Sequence, residues 1–278
     1  MAEAWACAPD DKGYDVGRFE ANSAWATARR MVSTNRDMLI AVAGVFFLLP
    51  GLIGAVVLPV PQFTKGMDQA QMIEAVTRFY IDAGPWLVLL TLPMLAGYLT
   101  VLAMLIDPAR PTVGQAIGRA VRVLPGYLAV QILFALSVSI ASGVVLGLLS
   151  LAVPQAIASI AVLVAMIYPA IRMVLFGPTI MARGVRNPFR ALVDAVTLTK
   201  GSVIGMTLFF GPALVLFTVL YLVITIIATI ALAGVSQPEA QRLGVEAVGA
   251  VVLATGYVYL TAMIAAAWRQ LDEPAPDA

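Results

Sequence analysis

The sequence predicts an all-α, polytopic membrane protein: six transmembrane helices in three pseudo-repeats, each opened by an interfacial amphipathic helix. Three observations predict it. The 278-residue chain is 61% hydrophobic and only 12% charged, against about 25% charged residues in a soluble domain, and its mean hydropathy is +0.93. Its charge-free runs are long enough to form crossing helices. Its Lys and Arg gather in alternate loops.

A hydrocarbon core is crossed by roughly 20 apolar residues in a helix. Uncharged runs of 27, 24, 49, 38 and 22 residues separate Asp37 from Lys65, Asp82 from Asp107, Arg122 from Arg172, Lys200 from Glu239, and Glu246 from Arg269. The 49-residue run holds two crossings, with Gly147 and Pro154 bracketing their turn. The spans therefore fall at 38–59, 84–106, 125–149, 154–177, 202–233 and 246–268. The runs lack the strict alternation of barrel strands and far exceed their length of about 10 residues. In lipid their backbone groups must be satisfied within each segment, which selects helices.

Fourteen of the seventeen basic residues lie on the side that carries both termini; only Lys65, Arg78 and Arg242 lie on the other. The positive-inside rule then places both termini in the cytoplasm. Residues 1–18 are expected to be a disordered cytoplasmic tail, 19–269 a single transmembrane domain and 270–278 a short cytoplasmic tail. The lone cysteine, Cys7, reads as a free thiol on that first tail, which lacks the basic start and apolar core of a signal peptide.

Each odd-numbered span follows a basic stretch with helical spacing. The three stretches align on alanine pairs four apart: Ala24 and Ala28, Ala116 and Ala120, Ala191 and Ala195. A larger apolar residue follows three positions later, at Met31, Val123 and Leu198. Such helices are expected to lie in the inner interface, apolar face towards lipid and basic face towards anionic headgroups. On the outer side, Met72, Ile73, Val76, Phe79 and Tyr80 share a helical face. That segment is expected to lie flat on the membrane surface ahead of span two.

The stretch YPAIRMVLFGPTIMARGVRNPFRALVDAVTLTKG places Tyr168 and Arg172 near the end of a span, then Pro178, then a helix with Ala191 that ends in Leu198, Thr199 and Gly201. It resembles the membrane domain that precedes the catalytic barrel of membrane-anchored glycerophosphodiester phosphodiesterases. It is also similar to that domain's stand-alone six-span relatives in bacterial inner membranes. The linker TIMARGVR lacks the acid common there, the serine that often precedes the Leu-Thr end is absent, and no barrel follows Leu271 to Ala278. The resemblance implies a membrane domain in a bacterial inner membrane and gives no ground to expect phosphodiesterase activity.

The chain contains no histidine, which removes the usual general base and the commonest metal ligand. No HExxH, CxxC, GxSxG or GxxxxGK[ST] pattern occurs. Apart from Glu246 at the first position of the last span, no Asp, Glu or Lys falls within the spans, whereas ion-coupled transport usually needs such groups at mid-membrane. Enzyme and cofactor are therefore not expected. Ser139, Gly143 and Gly147 form a small-residue face suited to close helix packing. Pro50, Pro93, Pro169 and Pro212 interrupt four spans and supply either ordinary kinks or hinges.

Two roles suit Arg172. A guanidinium at mid-bilayer costs at least ~3 kcal/mol on insertion scales, but near a helix end it can snorkel and bond a neighbouring carbonyl. Alternatively its fork of donors contacts phosphate. Arg183, Arg186, Arg190 and Lys200, with Arg119 and Arg122, would then form a basic rim around a phospholipid headgroup. The expected function is a non-enzymatic protein that binds or organises phospholipid, or that partners a lipid-active protein; a passive or lipid-translocating transporter is the alternative. The expected partners are membrane lipids, anionic phospholipid foremost, and a protein; nucleic acid is not expected.

Overall fold

The computed structural model describes residues 19–58, 66–109, 111–183 and 187–272. The expected tail at 1–18, with Cys7, lies outside the described residues, as do Lys65, Arg110, Arg186 and residues 273–278 of the expected tail at 270–278, whose first three residues instead continue the last helix, which runs to Asp272. Helix α1 (Ala21–Thr34) leads into α2 (Arg36–Ala43), a π-helical turn (Gly44–Leu48) and α3 (Leu49–Val57). Then come α4 (Gln69–Ile106), α5 (Val113–Leu149), α6 (Gln155–Val174), α7 (Phe176–Arg183) and α8 (Pro188–Leu198). The last two are α9 (Val203–Ala231) and α10 (Pro238–Asp272). Six of the helical stretches are long and apolar enough to cross a membrane, so this is a multi-pass membrane protein.

The spans occur where the charge-free runs place them, but several helices overrun those runs. Helix α4 starts at Asp68, whose carboxylate accepts from the Gln71 amide while the Gln71 side chain accepts from Asp68 N–H. This capping box satisfies two orphan donors and starts the helix in polar sequence. Thr112 and Gln115 do the same for α5. At 1.5 Å per residue, 38 residues make α4 about 57 Å long, well beyond a core of about 30 Å. The stretch around Met72 to Tyr80 is thus the first third of α4 rather than a separate surface helix.

The alanine pairs face the interior of the bundle. Ala24, Ala28, Ala116, Ala120, Ala191 and Ala195 are all buried. Their partners are other helices: α1 packs on α10 and α9, the start of α5 on α4, α7 and α8, and α8 on α6 and α7. This corrects the expectation that the apolar faces lie towards lipid, because a methyl side chain lets two backbones approach where a bulkier one would hold them apart. The second stretch is also no separate elbow: α5 runs through Pro125 without a break. Helix α8 is separate, capped by Asn187 at its start and released by Gly201, whose φ of 85° few other residues adopt.

The core sits at the basic end. Leu99 to Ile106 of α4, Leu175 to Met181 of α6 and α7, Met206 of α9 and Thr261 to Trp268 of α10 are buried there. Tyr127 stacks on Phe176 with ring centroids 5.3 Å apart. Lipid is as apolar as these side chains, so close van der Waals packing rather than the hydrophobic effect holds them. At the other end α5, α6 and α9 expose most of their large apolar residues, among them Leu136, Ile160 and Leu220. Gly143 and Gly147 have open space around them, and Ser139 is exposed. The small-residue face therefore does not mediate packing within the chain; α5 meets α6 on another face, where Ser142 Oγ lies 3.2 Å from Met166 Sδ.

Candidate functional site at the basic end

Arg172 stands in the last turn of α6, partly buried. Its Nη1 donates to the Val196 carbonyl at 3.3 Å, and its guanidinium carbon lies 4.8 Å from the centre of the Tyr168 ring. Val196 belongs to the last turn of α8, where carbonyls have no partner within the helix and carry the negative end of its dipole. The same device recurs. Arg269 Nη2 donates at 2.6 Å to Leu105 O, in the last turn of α4. Arg242 Nη1 donates at 3.2 Å to Ala55 O, in the last turn of α3. Three arginines thus cap the carboxyl ends of three helices other than their own.

Two of the other expected rim residues are ion-paired. Arg183 pairs with Asp194 of α8 and, at 3.5 Å, with Asp272 at the end of α10. Arg119 pairs with Asp107 at 2.5 Å. Asp107 also accepts from the Ala109 amide at 2.9 Å. That amide, and next the Arg119 guanidinium, hold the Asp107 carboxyl below the usual carboxylate range.

Arg122, Arg190 and Lys200 are exposed and make no ion pair among the described residues. Arg186 lies outside the described residues. The start of α5, α7 and α8 pack against one another, so the expected rim is one neighbourhood with two kinds of member. Arg172, Arg183 and Arg119 hold helices together; Arg122, Arg190 and Lys200 face outward.

A polar cavity of about 740 Å³ opens at this end. Arg30 and Asn35, Asp107 and Arg119, and Arg269 and Asp272 line it. Among the described residues, Arg119 is the one expected rim residue on its wall. Sequence reasoning counted Arg30 and Arg269 as orienting charge and did not place them at a site. The available signal was the Arg29–Arg30 doublet directly after an alanine pair. The cavity wall on α4 spans Ala103 to Asp107 and on α10 Trp268 to Asp272, so it occupies the ends of those helices. It gathers three guanidinium groups, Arg30, Arg119 and Arg269, with two carboxylates, Asp107 and Asp272, at one end of an apolar bundle.

No known protein family, characterised protein or solved structure matches the chain.

Proposed function

We propose that this is a non-enzymatic membrane protein that binds and organises anionic phospholipid at its basic end. The observation that carries the reading is the gathering of a polar cavity and outward-facing cations at one end of an otherwise apolar bundle. Arg122, Arg190 and Lys200 are placed to meet phosphate, each basic residue near an anionic surface contributing about 1 kcal/mol. Arg119, paired with Asp107, shapes the cavity wall beside them. Arg172 and Arg183 support this surface by fixing α8, which carries Arg190.

In this reading the basic end is cytoplasmic, as the distribution of Lys and Arg favours, and the membrane is a bacterial inner membrane, as the resemblance to the phosphodiesterase membrane domain implies. The three pseudo-repeats draw support from the burial of all three alanine pairs. A lipid-active protein is the partner such an organiser would serve. The binding reading is favoured over translocation because the polar cavity is lined by the ends of α4 and α10 and not by their middles.

The test is quantitation of phospholipid classes that copurify with the protein in mild detergent, beside a total extract of the same membranes. Enrichment of anionic phospholipid several-fold above its membrane share is expected. Copurified lipid with the same composition as the membrane would overturn the reading.

A further inference from the structure

A second concavity, of about 820 Å³, runs between the first span and α10, away from the rim around α8. Its walls differ along its length. Towards the basic end it is bordered by Arg29 and Arg30 of α1 and Arg36 of α2; beyond them its sides are mostly apolar, with Ile40 and Leu48 on one wall and Val251, beside Thr255 and Tyr259, on the α10 wall. Ile40 and Val251 are 67% and 51% exposed, so the groove opens outward to lipid. From Arg36 to Leu48 it extends about 18 Å at the helical rise, close to the depth of one leaflet of a ~30 Å core.

The π-helical turn forms part of this wall. Phe47 is turned inward, stacked on Tyr257 of α10 at 5.4 Å, while Gly44 on the groove side has nothing within 4 Å of where a side chain would stand. Turns of this kind in an α-helix frequently mark functional sites. The charges above it are available. Arg29 and Arg30 make no ion pair among the described residues. Among the described residues Arg36 pairs only with its neighbour Asp37 at 3.4 Å, with side chains 71% and 92% exposed, a pair weakened by water. Arg30 also lines the polar cavity, so the groove joins the end where headgroups sit.

We propose that this groove is a binding site for one anionic phospholipid, with an acyl chain along Ile40, Leu48 and Val251 and the phosphate held by Arg29, Arg30 and Arg36. Guanidinium forks match phosphate oxygens, and an apolar channel of leaflet depth matches an acyl chain; neither feature alone would select this ligand. The assignment deepens the phospholipid reading above and rests on it.

Native mass spectra of the full chain, purified in mild detergent from membranes that contain phosphatidylglycerol and phosphatidylethanolamine, test it. The wild type is expected to keep one phosphatidylglycerol through detergent exchange. Arg29→Gln/Arg30→Gln/Arg36→Gln should lower that occupancy at least tenfold. Gly44→Leu should do the same by filling the groove with every arginine intact, and it decides the matter if the triple variant does not fold. If both groove variants keep the lipid while wild-type preparations remain enriched in phosphatidylglycerol, the groove assignment is overturned and the broader reading stands. If wild-type preparations show no enrichment, both fall.

Discussion

Replacing Arg172 by methionine separates a structural arginine from a headgroup ligand. Methionine keeps an unbranched apolar stem and removes the guanidinium with its charge. The Val196 carbonyl loses its bond from Nη1, which at 3.3 Å sits at the weak end of charge-assisted hydrogen bonds, about 1.5 kcal/mol. The stacking over Tyr168 at 4.8 Å adds about 0.5–1 kcal/mol. Two features limit the loss. Val196 O still accepts from Thr199 Oγ1 at 3.0 Å. The substitution also removes Arg172 Nε, which is buried without a hydrogen-bond partner among the described residues and whose desolvation costs about 1 kcal/mol. The net destabilisation of the α6–α8 contact is about 1–1.5 kcal/mol, roughly a five- to thirteenfold rise in its opening. Hydrogen exchange in detergent should show faster exchange across 190–200, with α1 and the first half of α4 unchanged. Unchanged exchange in α8 would refute the capping role.

Three further outcomes follow from other contacts. Gly256→Val should destabilise by overpacking, about 1–3 kcal/mol, because a Cβ there would stand 1.8 Å from Phe217 Cζ; a lowered thermal midpoint in detergent checks it, and an unchanged one contradicts the α9–α10 packing. Because Asp107 titrates lower in the folded chain than its ordinary value, its contribution is present above about pH 4 and is lost as pH falls through the lower folded value. Asp107→Asn should therefore flatten the acid limb of stability, measured as thermal midpoint against pH, and an unaltered limb would count against the Asp107–Arg119 pair. Gly201→Ala should cost about 1 kcal/mol through its φ of 85° and loosen the junction of α8 with α9; unchanged exchange around 198–203 would contradict that.

The six crossings were legible because five charge-free runs reach membrane length and the longest, 49 residues, holds two, with Pro154 marking the turn between them. Helix ends were less legible, since a hydropathy boundary is not a helix boundary. Asp68 and Thr112 start α4 and α5 in polar sequence, so the amphipathic stretch at Met72 to Tyr80 became part of a span. The alanine spacing correctly marked special positions, but spacing alone does not say whether a small residue faces lipid or another helix. Ser139, Gly143 and Gly147 show the same limit with the opposite result.

The site was legible in part. That arginines gather at one end follows from the sequence, but which of them are engaged does not. Arg172 is committed by a backbone carbonyl on another helix, and nothing in the sequence marks which carbonyl lacks a partner. The groove beside Arg29, Arg30 and Arg36 exists because α2 lies beside α10 and because a π-helical turn reshapes the first span. Both are tertiary facts with no local signature.

The central claim, that the basic end recognises anionic headgroups in a bilayer, is tested most directly by electron spin resonance of spin-labelled lipids at the protein boundary. Labelled phosphatidylglycerol should associate several-fold more strongly than labelled phosphatidylcholine at low salt. The preference should shrink as the Debye length falls from about 10 Å at 0.1 M to about 3 Å at 1 M. Equal association of the two lipids at low salt would contradict the account.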